Sequence, residues 1–491
     1  MNRPQKAATW RSDHRGQWPW PVTQAPDIET ARLRVARRKG DIGLNRKLLV
    51  FATTVIFAAA ACGGGASAAP TTGASQPDAT VAVTPGTAPV TLTLWHNYGT
   101  EANAQVTEAL VKAYVAKYPN VTINLVSQPA DNYFALLKTA AIAGTGPDMM
   151  TMWTGLFALQ NQSYLEPLNS YIPADTLKQF TGIDWCSKGL AVDQGAICVT
   201  LDMQHYNGFY NKDMFAKAGI TTFPTNWTEF LAACEKLKAA GFQPLAYGTG
   251  GQALNAGFYP YYDLSYLMMN LPLSDWQKLY SGKIPWTDPG IVAQLTKWAS
   301  LKTLGYTNSD VLTNTDSVAQ FEAGKAAMTL EGSWDFKEFH DKMGDNVGVF
   351  VPPFTDTQAK GVVEFPGNGF GVTSYSQHKS DAAAFLAWLV TPEAQTIIAD
   401  GGLIPVAAGT VATQPLANAM LDFAGTQGYT RYPMIDNVIQ PEVQDVATKV
   451  LNAVLAGTMS PADAAQAMAN ALSQLPADRR GDTYTAPAAG G

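Results

Sequence analysis

Residues 90–153 alternate strand-like and helix-like patterns, and this order constrains the fold more than any other feature. Val90 to Trp95 alternates apolar and polar side chains, the period of a strand. Residues 101–118 place Val106, Ala109, Leu110, Ala113, Tyr114 and Ala116 at an approximate helical period, and Pro119 cannot continue that helix. Val121 to Val126 predicts a second strand. Residues 132–143 predict an Ala-rich helix broken by Gly144-Thr145-Gly146-Pro147, and Met149 to Trp153 a third strand. The order β-α-β-α-β implies parallel strands with right-handed crossovers. In open sheets of this kind ligands bind beyond the carboxyl ends of the strands. Two of those ends, Trp95-His96-Asn97-Tyr98 and Trp153-Thr154-Gly155, each present a Trp with polar neighbours and predict a cleft.

The chain has 491 residues, enough for two domains. With 46% hydrophobic and 15% charged residues it is globular in composition. A net charge of −7 argues against nucleic acid as a partner, which would require a basic face. The four cysteines and five histidines show no metal-type spacing, so neither metal nor cofactor is expected.

The first ninety residues have a different character. Arg32, Arg34, Arg37, Arg38, Lys39, Arg46 and Lys47 precede the 14-residue apolar run Leu48 to Ala61, which stops at Cys62. A spanning helix needs about 20 residues, so this is the pattern of an export signal over 44–61. The Ala60-Ala61-Cys62 ending resembles the lipobox of bacterial lipoproteins, which implies acylation of Cys62 and a membrane anchor outside the cytoplasm. Residues 1–43 are expected to be an extension upstream of the true start. Residues 62–89, rich in Ala, Gly, Thr, Ser and Pro, are expected to be a flexible tether.

Several stretches then carry a family resemblance. They are NLVSQPADNYFALLKTAAIAGTGPDMMTMWTGLFALQNQSYLEPLNSYI (124–172), FYNKDMFAKAGI (209–220), PTNWTEFLAACEKLKAAGFQPLAYG (224–248), FEAGKAAMTLEGSWDF (321–336), GNGFGVTSYSQHKSDAAAFLAWLVTPEAQ (367–395) and VLAGTMSPADAAQAMANAL (454–472). Together, in this order, they resemble the family 1 extracellular solute-binding proteins of the maltose-binding type. The resemblance implies an α/β, two-lobed periplasmic-binding-protein-like fold with a central ligand cleft and hinge crossovers. The expected lobes are 90–202 with 348–403, and 203–347 with 404–478, followed by a disordered tail over 479–491. It also implies a monomeric, non-enzymatic subunit of an ABC importer that passes a soluble sugar to transmembrane permease subunits.

A sugar site needs aromatic platforms and polar side chains that bond hydroxyls. Trp334, in Glu331-Gly332-Ser333-Trp334, matches a family motif whose Trp stacks on the sugar. Trp153 lies close to another family ligand position. Trp95, His96 and Asn97 close the first strand, and Asn132 is a further candidate. Asp202, Gln204 and His205 fall in the hinge, where relatives place a polar ligand contact, and the register leaves the choice among them open. Tyr259 and Tyr262 belong to an aromatic cluster where relatives supply a stacking ring, and Asn368 sits between Gly367 and Gly369. Few Lys or Arg fall at these positions, which argues against an anionic ligand. The stretch Pro441-Glu442-Val443-Gln444 lacks the aromatic platform of maltose-type relatives, so a mono- or short oligosaccharide is expected, not a long dextrin. Cys186 and Cys198 are a disulfide candidate for an exported protein.

Other functions fit parts of the pattern. A secreted hydrolase could use Glu331 and Asp335, four residues apart on one helix face. A non-sugar solute, or a sensory receptor as the partner, would suit the same fold.

Overall fold

A computed structural model describes residues 83–98, 102–129, 132–248, 260–314, 316–356, 360–481 and 485–487, with the backbone of Tyr259. The export signal, Cys62 and the 1–43 extension lie outside the described residues.

The expected β-α-β-α-β start is present. β1 (Val90–His96) pairs in parallel with β2 (Val121–Ser127) and with β3 (Met149–Trp153). The intervening helices cover Ala102–Lys117 and Tyr133–Ala143. The second of these ends on Gly144 at φ 65°, a left-handed position suited to glycine. Leu92, Leu94, Val106, Leu110 and Tyr114 are buried, so the predicted apolar faces are the ones that pack.

Eight more strands complete two sheets: β4 (Val199–Thr200), β5 (Met203–Asn211), β6 (Gln243–Ala246), β7 (Ala326–Gly332), β8 (Val347–Phe350), β9 (Gly361–Pro366), β10 (Asn368–Val372) and β11 (Thr430–Tyr432). The first sheet has the order β2-β1-β3-β10-β4. The second has the order β11-β9-β5-β7-β6, with β8 also on β5. Each sheet is the centre of one lobe.

Strand pairing corrects one expected boundary. β8 pairs with β5 through Gly208↔Phe350, and β9 pairs with β5 through Met203↔Pro366. β8 and β9 therefore both belong to the second sheet, and the chain crosses at Gly367, not at 348. The apolar run Val347 to Phe350 announces a strand but carries no signal for which sheet it joins. Two crossings lie side by side: Leu201 N–H donates to Asn368 O at 2.8 Å and Gly367 N–H to Asp202 O at 3.0 Å. A third passes near Ile404, whose carbonyl accepts from Met203 N–H at 2.9 Å.

Both expected loose ends are partly tied down. Gly86 N–H donates to Asp381 Oδ1 at 2.7 Å, Asn120 Nδ2 donates to Gly86 O at 2.7 Å, and Val83 packs on the core. The described end of the chain docks as well: Arg480 donates to Ser473 O at 2.8 Å, and Ala486 packs on the core. Neither segment has a periodic pattern, so nothing in the sequence announces the contact.

Cys186 and Cys198 form a disulfide 12 residues apart, fully buried under β10. A Cβ on Gly369 would lie 3.0 Å from both sulfurs, so this glycine makes room for the bridge. Replacing both cysteines with Ala is expected to lower unfolding free energy by about 3 kcal/mol, measured by urea denaturation under non-reducing conditions. The third described cysteine, Cys234, is buried in the helix Trp227–Ala239, and burial pushes its thiol pKa up.

Candidate functional site

The crossings place the carboxyl ends of β1 and β3 opposite the ends of β7 and β9. Between them lies a cleft with about 600 Å3 of empty space, counting space open to solvent.

The first lobe contributes Asn97 and Tyr98 just past β1, Asn103 from the first turn of the helix after it, Trp153 at the end of β3, and Gly367 and Asn368 at the start of β10. The second lobe contributes Gln204 from β5, Phe365 from β9, Tyr262, Trp334 just past β7, and Met434, Asp436 and Asn437 after β11.

Trp334 is seated by its own motif. A Cβ on Gly332 would come within 2.2 Å of its ring, so glycine is required there. The indole N–H donates to Glu331 Oε1 at 2.7 Å, which fixes the ring's rotation and leaves it half-buried. Trp153, also half-buried, is held by Phe134 and Phe157, with ring centroids 5.2 and 4.9 Å away. Two aromatic platforms from different lobes thus share one cleft.

The floor is a polar network around Asp202, whose side chain is buried where two crossings meet. Its carboxylate accepts from Gln204 Nε2 at 2.9 Å, Asn368 Nδ2 at 3.1 Å and Asn368 N at 3.2 Å. Burial pushes the Asp202 pKa up to about 6, and these donors pull it back. Asn437 donates through Nδ2 to Thr154 O at 3.2 Å and to its Oγ1 at 3.1 Å, linking the two lobes. Asp436 lines the cleft beside it, and burial pushes its pKa up to about 7.

Of the residues singled out in the sequence, Asn97, Trp153, Tyr262, Trp334 and Asn368 come together on the cleft. Gln204 joins them, and Trp95, His96, Asn132, Asp202 and His205 do not line it. Trp95 packs on the core one residue before the strand end, and His96 is buried, its Nδ1 accepting from Tyr98 N–H at 3.4 Å. Asn132 is exposed at the start of its helix. The Tyr259 side chain lies outside the described residues. Asp202 supports the floor without lining the cleft.

His205 is buried inside the second sheet. Its Nδ1 is 3.1 Å from Val363 O and its Nε2 3.6 Å from Glu364 Oε2, and burial lowers its pKa. Gln204 is the hinge residue that reaches the cleft. Successive strand residues face opposite sides, so the one-residue ambiguity in register decides which of the two is exposed to a ligand.

Tyr98, Asn103, Phe365, Met434, Asp436 and Asn437 were not foreseen. Asn103 reads as an ordinary polar position of an amphipathic helix. Asp436 and Asn437 follow a strand of only three residues, too short to leave a periodic trace.

A Cβ on Gly367 would fall 2.0 Å from Gln204 Cδ. The clash is with a flexible side-chain end, so Gly367→Ala is expected to fold normally and displace Gln204. Calorimetric titration should then show ligand affinity reduced by about tenfold, the cost of one good hydrogen bond.

Known proteins match this arrangement. Residues 98–396, more than half of the chain, match the family described as bacterial extracellular solute-binding proteins. The chain belongs to that family. A putative binding protein of Brucella abortus is 31% identical over 163 residues, 32% of this chain and 38% of that protein. The match thus spans well under half of that relative's length. An uncharacterized ABC transporter extracellular-binding protein of Pyrococcus horikoshii is 26% identical over 62% of this chain and 68% of its own. Among solved structures, a chitin oligosaccharide binding protein superposes with a TM-score of 0.69 at 25% identity, covering 79% of this chain and 99% of that one. A maltose-bound protein of T. maritima gives 0.63 at 20% identity, over 78% and 99%, a likeness of fold. As a solute-binding family member, the chain has its cleft where the two lobes meet, and the family's description places it outside the cytoplasm.

The hydrolase expectation loses its geometric premise. Glu331 is the sixth residue of β7 and Asp335 lies in the turn after it, so the two do not share a helix face. Glu331 Oε1 is occupied by the Trp334 indole and by Gly332 N–H at 3.1 Å.

Proposed function

We propose that this protein is the solute-binding subunit of an ABC importer, and that it captures a soluble carbohydrate by lobe closure and delivers it to permease subunits. The observation that carries the reading is the pairing of Trp153 and Trp334, one from each lobe, across a cleft floored by side-chain amides. Flat rings suit the apolar faces of a sugar, and amides suit its hydroxyl edge. Among the described residues no Lys, Arg or His lines the cleft, which disfavours phosphorylated or carboxylated ligands. The names of the Pyrococcus relative and of the chitin oligosaccharide binding protein point the same way. A ligand touching both lobes favours the closed form by its differential contacts, and the closed form engages the permease.

The test is a thermal-shift screen of the purified protein against mono- and disaccharides, polyols, amino acids and glycerol phosphates. A ligand at 100 times its Kd adds about 2.7 kcal/mol of stability. A shift with a sugar that is recovered unchanged supports the reading. A shift confined to amino acids or phosphates overturns it.

Export and anchoring belong to the same proposal. The basic segment, the short apolar run and Cys62 support acylation of a mature chain beginning at Cys62. Mass spectrometry of the membrane-extracted protein is expected to find Cys62 as the N-terminus with added acyl mass. An unmodified N-terminus would contradict it.

A further inference from the structure

Part of the hydrogen-bonding capacity of the cleft is committed to the scaffold. The amide NH2 groups of Gln204 and Asn368 are turned to Asp202, and that of Asn437 to Thr154. The Trp334 indole N–H is taken by Glu331. Each of these groups thus spends an N–H on the scaffold. Two acceptors on the cleft are unclaimed. Asn103 is 3% exposed, and its buried Oδ1 accepts no hydrogen bond; nor does the buried Oδ1 of Asp436.

The charge balance leans the same way. Among the described residues neither Asp202 nor Asp436 has an ion-pair partner and no basic side chain lines the cleft. The basic group next along the rim is Lys337, on the outer side of Trp334, where it pairs with Asp341 at 2.5 Å.

We infer that the solute carries a protonated amino group seated against Asp436, making it an amino sugar, not the corresponding hydroxyl or N-acetyl sugar. This rests on the carbohydrate reading above and narrows it. A hydroxyl brings one donor with two acceptor lone pairs, and an N-acetyl group brings a carbonyl that needs a donor. An ammonium brings three donors and no acceptor, which suits the unclaimed Oδ1 atoms of Asp436 and Asn103. It also supplies the cation that a buried carboxylate otherwise lacks, through a charge-assisted bond stronger than a neutral one.

The test is calorimetric titration of the wild-type protein with matched sets: glucosamine, glucose and N-acetylglucosamine; the galactose equivalents; and β-1,4-linked glucosamine and N-acetylglucosamine disaccharides. Putrescine serves as an amine without a sugar. In at least one set the amine is expected to bind about tenfold or more tighter than both counterparts, the scale of one charge-assisted bond. Asp436→Asn should remove that preference, read as the ratio of amine to hydroxyl-sugar affinity within the same variant. Asn103→Ala, farther from the carboxylate in sequence and on the other lobe, should weaken the amine several-fold and gives a second reading if the first variant does not fold. A hydroxyl or N-acetyl sugar binding as tightly as its amine, an unchanged preference in Asp436→Asn, or putrescine equal to the best amino sugar would each overturn the inference. Preference for a neutral sugar would overturn it alone. No sugar binding in any set would overturn the carbohydrate reading with it.

Discussion

Trp334→Ala is expected to weaken carbohydrate binding by about 30- to 150-fold, roughly 2–3 kcal/mol, with little loss of stability. The indole is half-buried at the end of β7 and lies against a glycine, so its removal opens the cleft without cutting into the core of either lobe. What is lost is a rigid apolar face that a sugar ring would cover, together with the Glu331 hydrogen bond that holds the face in place. Trp334→Phe keeps the platform and gives up the bond, so it should lose only part of the affinity. The two Kd values, compared with melting temperatures, separate stacking from folding. Equal Kd values for wild type and Trp334→Ala would place the ligand elsewhere.

Asp263→Ala carries the largest expected stability effect, about 3–5 kcal/mol, because it strips a buried charge from several donors at once. The carboxylate accepts from Tyr206 Oη at 2.9 Å, from the Tyr247 hydroxyl, and from Trp298 Nε1 at 2.9 Å, and all four side chains are buried. Tyr206 belongs to β5, Tyr247 follows β6, and Asp263 directly follows Tyr262 of the cleft. The cluster therefore joins the second sheet to the helical segment that presents a cleft aromatic, and affinity should fall along with stability. Asp263→Asn keeps one acceptor and should cost less.

The pH dependence of that variant has a definite sign. Burial raises the Asp263 pKa from 3.8 to about 7, so the folded protein holds this proton more tightly than the unfolded chain. The contribution of the group is fully present below pH 4 and is lost as pH rises through about 7. Asp263→Asn, which cannot titrate, should therefore destabilise more at pH 5 than at pH 8, as read from urea midpoints at the two pH values.

The parts of this protein that were legible in the sequence are those in which a period or a motif spans many residues. The first three strands and their helices follow from apolar spacing, and Trp334 follows from the family resemblance of Glu331-Gly332-Ser333-Trp334. What escaped is set by contacts between distant segments. Whether Gln204 or His205 meets the ligand depends on a one-residue register in β5, fixed by pairing with β9, more than 150 residues away. The crossing at Gly367, and not at the 348 boundary that the resemblance implied, depends on which sheet accepts β8 and β9. Asp436 enters the cleft only because its short loop meets Thr154 through Asn437, a contact across 283 residues. Local pattern identifies elements; the site is assembled by pairings that local pattern does not encode.

The most direct test of the central claim is isothermal titration of wild type and Trp334→Ala with the sugar that gives the largest thermal shift, followed by chromatography of the recovered ligand. One sugar bound per chain, recovered intact, with affinity falling about 30-fold or more in the variant, is the predicted result. Binding that survives the loss of Trp334 unchanged, or a sugar recovered as cleaved product, would contradict a carbohydrate-capturing cleft between the two lobes.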